Sequence, residues 1–362
     1  MMDNLALKLA AYSVLFCILL SYIIWNFLQG HLADDPIPLQ TPAPEADPTT
    51  ASNATSDITS APISVNYHFT RKCNKTCVFC FHTDKTSHVA SDEEMQRGLR
   101  LLKDAGMKKI NFAGGEPFLY PARLAMLCKF CKEDLNLESV SIISNGTKIT
   151  QGWLQKYGRF VDVLGVSCDS FDEETNIKIG RGNGSLVPQL FKIRQWCREL
   201  NIMFKLNTVV LTWNWEEDMA TTVTELAPDR WKVFQVLSVE GENDSAEAET
   251  ELDKRKRNVK NVLITDEQFK AYCDRHKEVP NFVPESNDLM ASSYIILDEY
   301  LRFLDKGNGP EKHSSSILDV GVDKAFEEVH FDRSAFSKRG GIYNWSKEKA
   351  DCTTTLPPAL EF

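Results

Sequence analysis

From residue 64 to about 239 the chain alternates between short strand-like runs and helical patterns, and this alternation constrains the fold more than any other feature. SVNYHFT (64–70) reads as a strand. Ser91 then caps a helix, with Glu94 at the capping-box position and Met95, Leu99 and Leu102 at helical spacing. Gly106 ends that helix, and KKINFAG forms the next strand. The pattern continues through a helix near 121–135, strand SVSIIS, a helix near 150–158 and strand VDVLGVSC. A helix near 187–200, strand MFKLNTVVL, a helix near 216–226 and strand RWKVFQVLSV complete six βα-like units. Such alternation implies an α/β fold with a parallel sheet and right-handed crossovers. The functional face then lies at the carboxyl ends of the strands.

Directly after the first strand comes CNKTCVFC, with Cys73, Cys77 and Cys80 in C-x3-C-x2-C spacing. One loop can bring three such thiolates onto three irons of a [4Fe–4S] cube and leave the fourth iron for a chelating small molecule. Electron-transfer ferredoxins use four cysteines instead. Structural zinc is the competing reading, with His82 as a fourth ligand, but zinc sites favour paired C-x2-C spacing. Ten cysteines in 362 residues are too sparse for a disulfide scaffold. The spacing resembles that of the radical SAM superfamily, whose clusters bind S-adenosylmethionine through its amino and carboxylate groups.

Further motifs fall at strand ends. NFAGGEPF (111–118) places Gly114 and Gly115 where the backbone can approach a ligand, and Glu116–Pro117 makes a stiff turn. SNG (144–146) and SCDS (167–170) end the next two strands with small polar residues, and Arg181 follows in IGRGNG. Cations interrupt the strands themselves. Lys205 breaks the apolar run MFKLNTVVL, Arg230 and Lys232 point to one face of RWKVFQ, and Lys109 opens the strand before the glycine turn. Four such cations on neighbouring strands suggest a phosphate pocket. Cys128 and Cys131 fall inside a helical pattern and read as buried thiols.

VNYHFTRKCNKTCVFCFHT, KKINFAGGEPF, SCDSFDEE, RWKVFQ, HKEVPNFVPESN, ILDEYLRFLD, SILDVGV and KRGGIYNWSK together resemble the viperin family, interferon-associated antiviral radical SAM proteins, over roughly residues 64–348. The resemblance implies a partial (βα)6 TIM-like barrel of the radical SAM type with a mixed C-terminal extension. It implies a [4Fe–4S] cluster on Cys73, Cys77 and Cys80, and S-adenosylmethionine held by Gly114, Gly115, Glu116, Ser144, Asn145, Ser167, Asp169 and Arg181. It also implies dehydration of CTP to 3′-deoxy-3′,4′-didehydro-CTP, a chain terminator of viral RNA synthesis. Asn66, Lys109, Lys205, Arg230 and Lys232 would hold that substrate, and Tyr294 matches the family's hydrogen donor. Two other readings stay open: a radical SAM enzyme acting on another nucleotide or a peptide, and a membrane-associated scaffold for host or viral proteins.

The flanks divide the chain further. Residues 1–30 contain an uncharged run from Leu9 to Gly30, long enough to span a bilayer or to lie in its interface. Residues 31–62 form a proline- and acid-rich disordered linker. The barrel occupies 63–262, including a charged insertion at 241–262, and residues 263–362 cover the substrate pocket, with a variable tail from about 349. Cluster and thiols call for the cytosol. The resemblance adds the endoplasmic reticulum and lipid droplets as membranes, and an electron-donor protein and cluster-assembly factors as partners. The tail EKADCTTTLPPALEF departs from the tryptophan-terminated tail by which the family recruits those factors. The net charge of −10 argues against direct nucleic-acid binding.

Overall fold

The computed structural model describes residues 62–83, 85–240, 242–244, 258–305, 313–343 and 346. The proposed membrane segment, nearly all of the linker, most of the charged insertion and the tail from 349 lie outside these residues. No helix among the described residues is long and apolar enough to cross a membrane.

The strand–helix units form in the expected order. They are β1 (Ser64–Tyr67) and α1 (Asp92–Asp104), β2 (Lys109–Phe112) and α2 (Pro121–Lys129), then β3 (Ser139–Ser144) and α3 (Gln151–Tyr157). After β4 (Val163–Ser167) come two helices, α4 (Glu173–Ile179) and α5 (Leu186–Glu199). Next are β5 (Met203–Val210), α6 (Ala220–Leu226), β6 (Arg230–Gln235) and α7 (Asp266–His276). The remainder comprises β7 (Phe282–Glu285), α8 (Asn287–Ala291), β8 (Ile296–Leu297), β9 (Arg302–Leu304), β10 (His313–Ser316), α9 (Ile317–Val320), α10 (Val322–Glu327) and α11 (Arg333–Lys338).

Local chemistry explains where these elements depart from the sequence reading. The capping box forms as expected, with Ser91 and Glu94 each bonding the other's backbone N–H. Helix α6 begins later than 216 because Asn214 holds the preceding turn. Its carboxamide accepts from the Leu211 N–H at 2.7 Å and donates to the Asp169 and Val209 carbonyls. Helix α4 was not anticipated, although Asp172 caps it through the Thr175 N–H at 2.8 Å and left-handed Gly180 ends it.

All strands join one sheet in the order β10-β9-β8-β1-β2-β3-β4-β5-β6-β7. Strands β1 to β7 are parallel neighbours in sequence order. Strand β8 pairs in parallel with the outer side of β1, and β9 and β10 continue antiparallel. The residues after 262 therefore extend the barrel on both sides as well as covering it. Strand β7 can only be an edge, because Pro284 offers no N–H for a further partner.

Side chains alternate strictly along the parallel strands. Val65, Tyr67, Ile110, Phe112, Val140, Ile142, Leu164, Val166, Phe204, Leu206, Trp231 and Val233 are wholly buried in the apolar core. Between them, Asn66, Asn111, Ser141, Lys205, Asn207, Arg230 and Lys232 line the interior of the barrel. The lumen is thus an open chamber where polar and charged side chains are set among apolar ones such as Ile143, Val209 and Phe234, whereas closed TIM barrels fill theirs with branched apolar residues.

Candidate active site

The cysteine loop leaves β1 and is fastened on three sides. The Gly115 N–H donates to the Thr70 carbonyl at 2.8 Å, and the Glu116 N–H to the Lys72 carbonyl at 2.9 Å. On the second side, Asn145 at the end of β3 donates through Nδ2 to Asn74 Oδ1 at 2.9 Å and approaches Cys73 Sγ at 3.8 Å. On the third, the N–H groups of Thr76 and Val78 donate to the carbonyls of Gly180 and Ile179 at 3.1 and 2.9 Å. Arg71 secures the base of the loop through Glu299 at 2.8 Å and Glu242 at 3.2 Å.

This fastening holds Cys73, Cys77 and Cys80 in the wall of a cavity of about 900 Å³. None of the three is in a disulfide, and among the described residues no three His, Cys, Asp or Glu side chains are gathered closely enough to hold one metal ion as they stand. Three thiols without a fourth cysteine partner, facing a large chamber, suit a cubic cluster whose last iron meets a small molecule. Burial pushes the Cys77 thiol up to about 12, against the pull of Arg181. Iron binding is what would ionise it. His82, the zinc candidate, also lines the cavity and packs edge-on to His68 at 4.5 Å. Burial holds its imidazole well below the usual range, and so neutral.

The expected S-adenosylmethionine residues gather around the same chamber with one exception. Gly114, Gly115, Ser144, Asn145, Ser167, Asp169 and Arg181 line it. Glu116 does not. Its fully buried carboxylate accepts from the Phe118 N–H at 3.0 Å, Ser144 Oγ at 2.8 Å and the Asn145 N–H at 2.7 Å. Glu116 therefore acts as a brace between the ends of β2 and β3. Asp169 pairs with Arg181 at 2.6 Å and accepts from the Val209 N–H at 3.0 Å. Burial works against the Arg181 charge, but Asp169 and the nearby thiols hold its pKa above the ordinary value.

Deeper in the lumen lie the cations. Lys109, Lys205, Arg230 and Lys232 face a second space of about 40 Å³, and Lys205, Asn66 and Tyr294 line both it and the large chamber. Two groups here were missed in the sequence. Arg339, just after α11, stacks on the Tyr294 ring at 3.8 Å and donates to the Ser293 carbonyl at 2.8 Å. Glu285 pairs with Lys232 and lies 3.8 Å from Arg339. Burial opposes its charge, but Lys232 and Arg339 hold the carboxyl below its usual range. The Tyr294 hydroxyl accepts from Lys232 Nζ at 2.6 Å and donates to Glu285 Oε2 at 2.5 Å.

Tyr343 was also missed. Its hydroxyl accepts from Lys109 Nζ at 3.1 Å, and the Arg230 guanidinium lies 4.3 Å from its ring centre. Burial raises the phenol, but Lys109, Lys205 and Arg230 together bring it down to about 7. Lys205 falls to about 8 through burial, a drop that Tyr343 opposes and that Lys109 and Arg230 deepen.

A three-thiol loop over the carboxyl ends of a partial parallel barrel defines a radical SAM enzyme, a class that works with a [4Fe–4S] cluster and S-adenosylmethionine. Comparison agrees, since residues 67–226 match the Radical SAM superfamily. Streptococcus suis SuiB bound to S-adenosylmethionine superposes with a TM-score of 0.55 at 18% identity, covering 74% of this chain and 68% of that one, a likeness of fold. Two fish proteins, each described as S-adenosylmethionine-dependent nucleotide dehydratase RSAD2, are much nearer in sequence. The one from Oncorhynchus mykiss is 47% identical over 342 residues, covering 92% of this chain and 96% of the relative. The one from Siniperca chuatsi is 53% identical over 290 residues, covering 79% and 80%. The chain belongs to this RSAD2 (viperin) family.

The fit between glycine turn and cysteine loop can be broken at one atom. A Cβ on Gly115 would stand 2.1 Å from the Lys72 carbonyl oxygen, so Gly115→Ala must push the loop away. After anaerobic reconstitution the variant is expected to hold well under half the wild-type iron and sulfide per chain, while its far-ultraviolet circular dichroism stays unchanged.

Proposed function

We propose that this chain dehydrates the ribose of CTP to give 3′-deoxy-3′,4′-didehydro-CTP, a chain terminator of viral RNA synthesis, and so serves antiviral defence. The observation that carries this reading is a lumen with three thiols at one end and Lys109, Lys205, Arg230, Lys232 and Arg339 at the other. A peptide substrate gives no reason to bury five cations near the carboxylate of Glu285. A triphosphate does, because its oxygens can both neutralise and hydrogen-bond them.

When bound, the cluster and S-adenosylmethionine supply a carbon-centred radical at the upper end of the chamber. The chain's own residues then bind, orient and shield the substrate. The cations hold the triphosphate, Asn66 and Lys205 bridge the two spaces, and the ribose comes to the level of Tyr294. That phenol is placed as a hydrogen donor, its hydroxyl held between Lys232 and Glu285, and restoring it after it reacts takes one electron together with one proton. Anaerobic reconstitution with each of the four nucleoside triphosphates tests the reading. Coupled formation of 5′-deoxyadenosine and dehydrated nucleotide is expected with CTP, and absence of any dehydrated nucleotide would refute it. Tyr294→Phe should still cleave S-adenosylmethionine but give little nucleotide product.

The phosphate end is crowded. The space at the cations is about 40 Å³, far smaller than the adjoining chamber of about 900 Å³. Tyr343 lines it and sits against the cations that the triphosphate needs. Substrate must therefore displace it. Above about pH 7 the phenol is ionised and competes with phosphate, whereas below that it is neutral and lets go more readily. Tyr343→Phe is accordingly expected to bind CTP severalfold more tightly than wild type at about pH 8, with the two converging near pH 6. Calorimetric titration at both pH values measures this.

The reading extends to location. Thiols and cluster need a reducing compartment, and the apolar run within residues 1–30 offers an anchor to the cytosolic face of the endoplasmic reticulum and of lipid droplets. Deleting residues 1–30 should move the chain from the membrane pellet to the supernatant with its dehydratase activity retained.

A further inference from the structure

The cysteine loop has an outer side as well as an inner one. A recess of about 490 Å³ lies there, lined by Asn74, Lys75, Thr76, Lys148, Ile177 and Gly180 among others. We propose that this recess is the docking site for a small acidic electron-carrying protein of the flavodoxin type, which reduces the cluster through the Thr76–Gly180 contact. The proposal rests on the cluster assignment and is independent of which nucleotide is dehydrated.

Position is the first argument. The Gly180 carbonyl oxygen lies 3.7 Å from Cys77 Sγ and accepts from the Thr76 N–H at 3.1 Å, so a single layer of backbone separates the recess from a cluster ligand. No side chain could be added to that layer, because a Cβ on Gly180 would stand 2.5 Å from the Thr76 carbonyl oxygen. The inner side of the loop faces the large chamber, where S-adenosylmethionine and substrate must go. An electron from a protein donor has to come from outside.

Surface chemistry is the second. Ile177 is 53% exposed, one of four large apolar side chains so placed among the described residues. Lys75 and Lys148 flank it in the recess, and Lys178 follows it on α4. None of these lysines forms an ion pair among the described residues. The carboxylates of α4, Asp172, Glu173 and Glu174, lie at its cap and in its first turn, about 4.5–7.5 Å from Ile177 along the axis, and none of them lines the recess. There Asp172 caps Thr175 and Glu173 accepts from the Val187 N–H. Lys178 turns to the Trp213 ring. An apolar anchor flanked by two cations, in a recess lined by no carboxylate, is the form of a small, electrostatically oriented interface. It matters more because the whole chain carries −10, so an acidic partner is repelled elsewhere and meets attraction here.

The redox step is simple to balance. One electron leaves the donor, which is oxidised by one unit, and enters the cluster on Cys73, Cys77 and Cys80, which is reduced by one unit, with no bond made or broken.

Lys148→Glu combined with Ile177→Asp tests the surface without touching the chamber. The full chain, reconstituted anaerobically, is titrated with purified flavodoxin at low and high salt, and reduction of the cluster is followed by electron paramagnetic resonance. The variant is expected to bind at least about tenfold more weakly at low salt, to lose the salt dependence of the wild type, and to be reduced by flavodoxin correspondingly more slowly. Dithionite should reduce both proteins equally and support equal cleavage of S-adenosylmethionine. Unchanged flavodoxin binding and reduction would overturn the proposal. So would equally slowed reduction by dithionite, since the damage would then lie in the cluster and not in docking. Failure of CTP dehydration, by contrast, leaves every one of these measurements intact.

Discussion

Five cations facing one lumen create a demand that the rest of the site answers. Charge taken out of water is costly unless it is matched, and the strain shows in Lys205, which burial lowers to about 8. Glu285 meets part of the demand from β7, and Tyr343 meets another part from the segment after α11. Neither completes it. The triphosphate proposed above would supply the further negative charge. The same requirement explains why the parallel strands are half polar. Each turns an apolar edge to its helices and sets polar or charged side chains among apolar ones on the edge that faces the lumen.

The opposite end of the chamber depends on fit more than on charge. Backbone amides of the glycine turn, the carboxamide of Asn145 and the carbonyl of Gly180 hold the cysteine loop from three directions. Buried Glu116 takes three donors and ties two strand ends together beneath it. A residue that looks like a ligand contact by its motif thus serves instead to fix the backbone beside the chamber.

How far the sequence disclosed this varied with the range of the interaction. The six strand–helix units, the Ser91 capping box and the cysteine loop depend on nearby residues, and their signals are local. Lys205 was legible because it breaks an apolar run, and Asn207, two positions on and lining the same chamber, carried the same signal unread. Helix α4 escaped notice because seven residues give too short a period, although Asp172 and Gly180 marked both of its ends. Arg339, Glu285 and Tyr343 lie in segments without periodicity. They reach the lumen only because β7 and β8 flank the barrel and bring their neighbours back across it. Nothing within their own stretches of sequence could announce that.

Strands β7 and β8 stand on opposite sides of the sheet and do not pair with each other. Across that seam no backbone ladder runs, yet Glu285 ends one strand and Tyr294 lies two residues before the other, and their side chains share a hydrogen bond of 2.5 Å. Lys232 and Arg339 join the same cluster. The seam between β7 and β8 is therefore held by the side chains around the Tyr294 hydroxyl. Any change to the group proposed to give up hydrogen is thereby also a change to what closes the barrel.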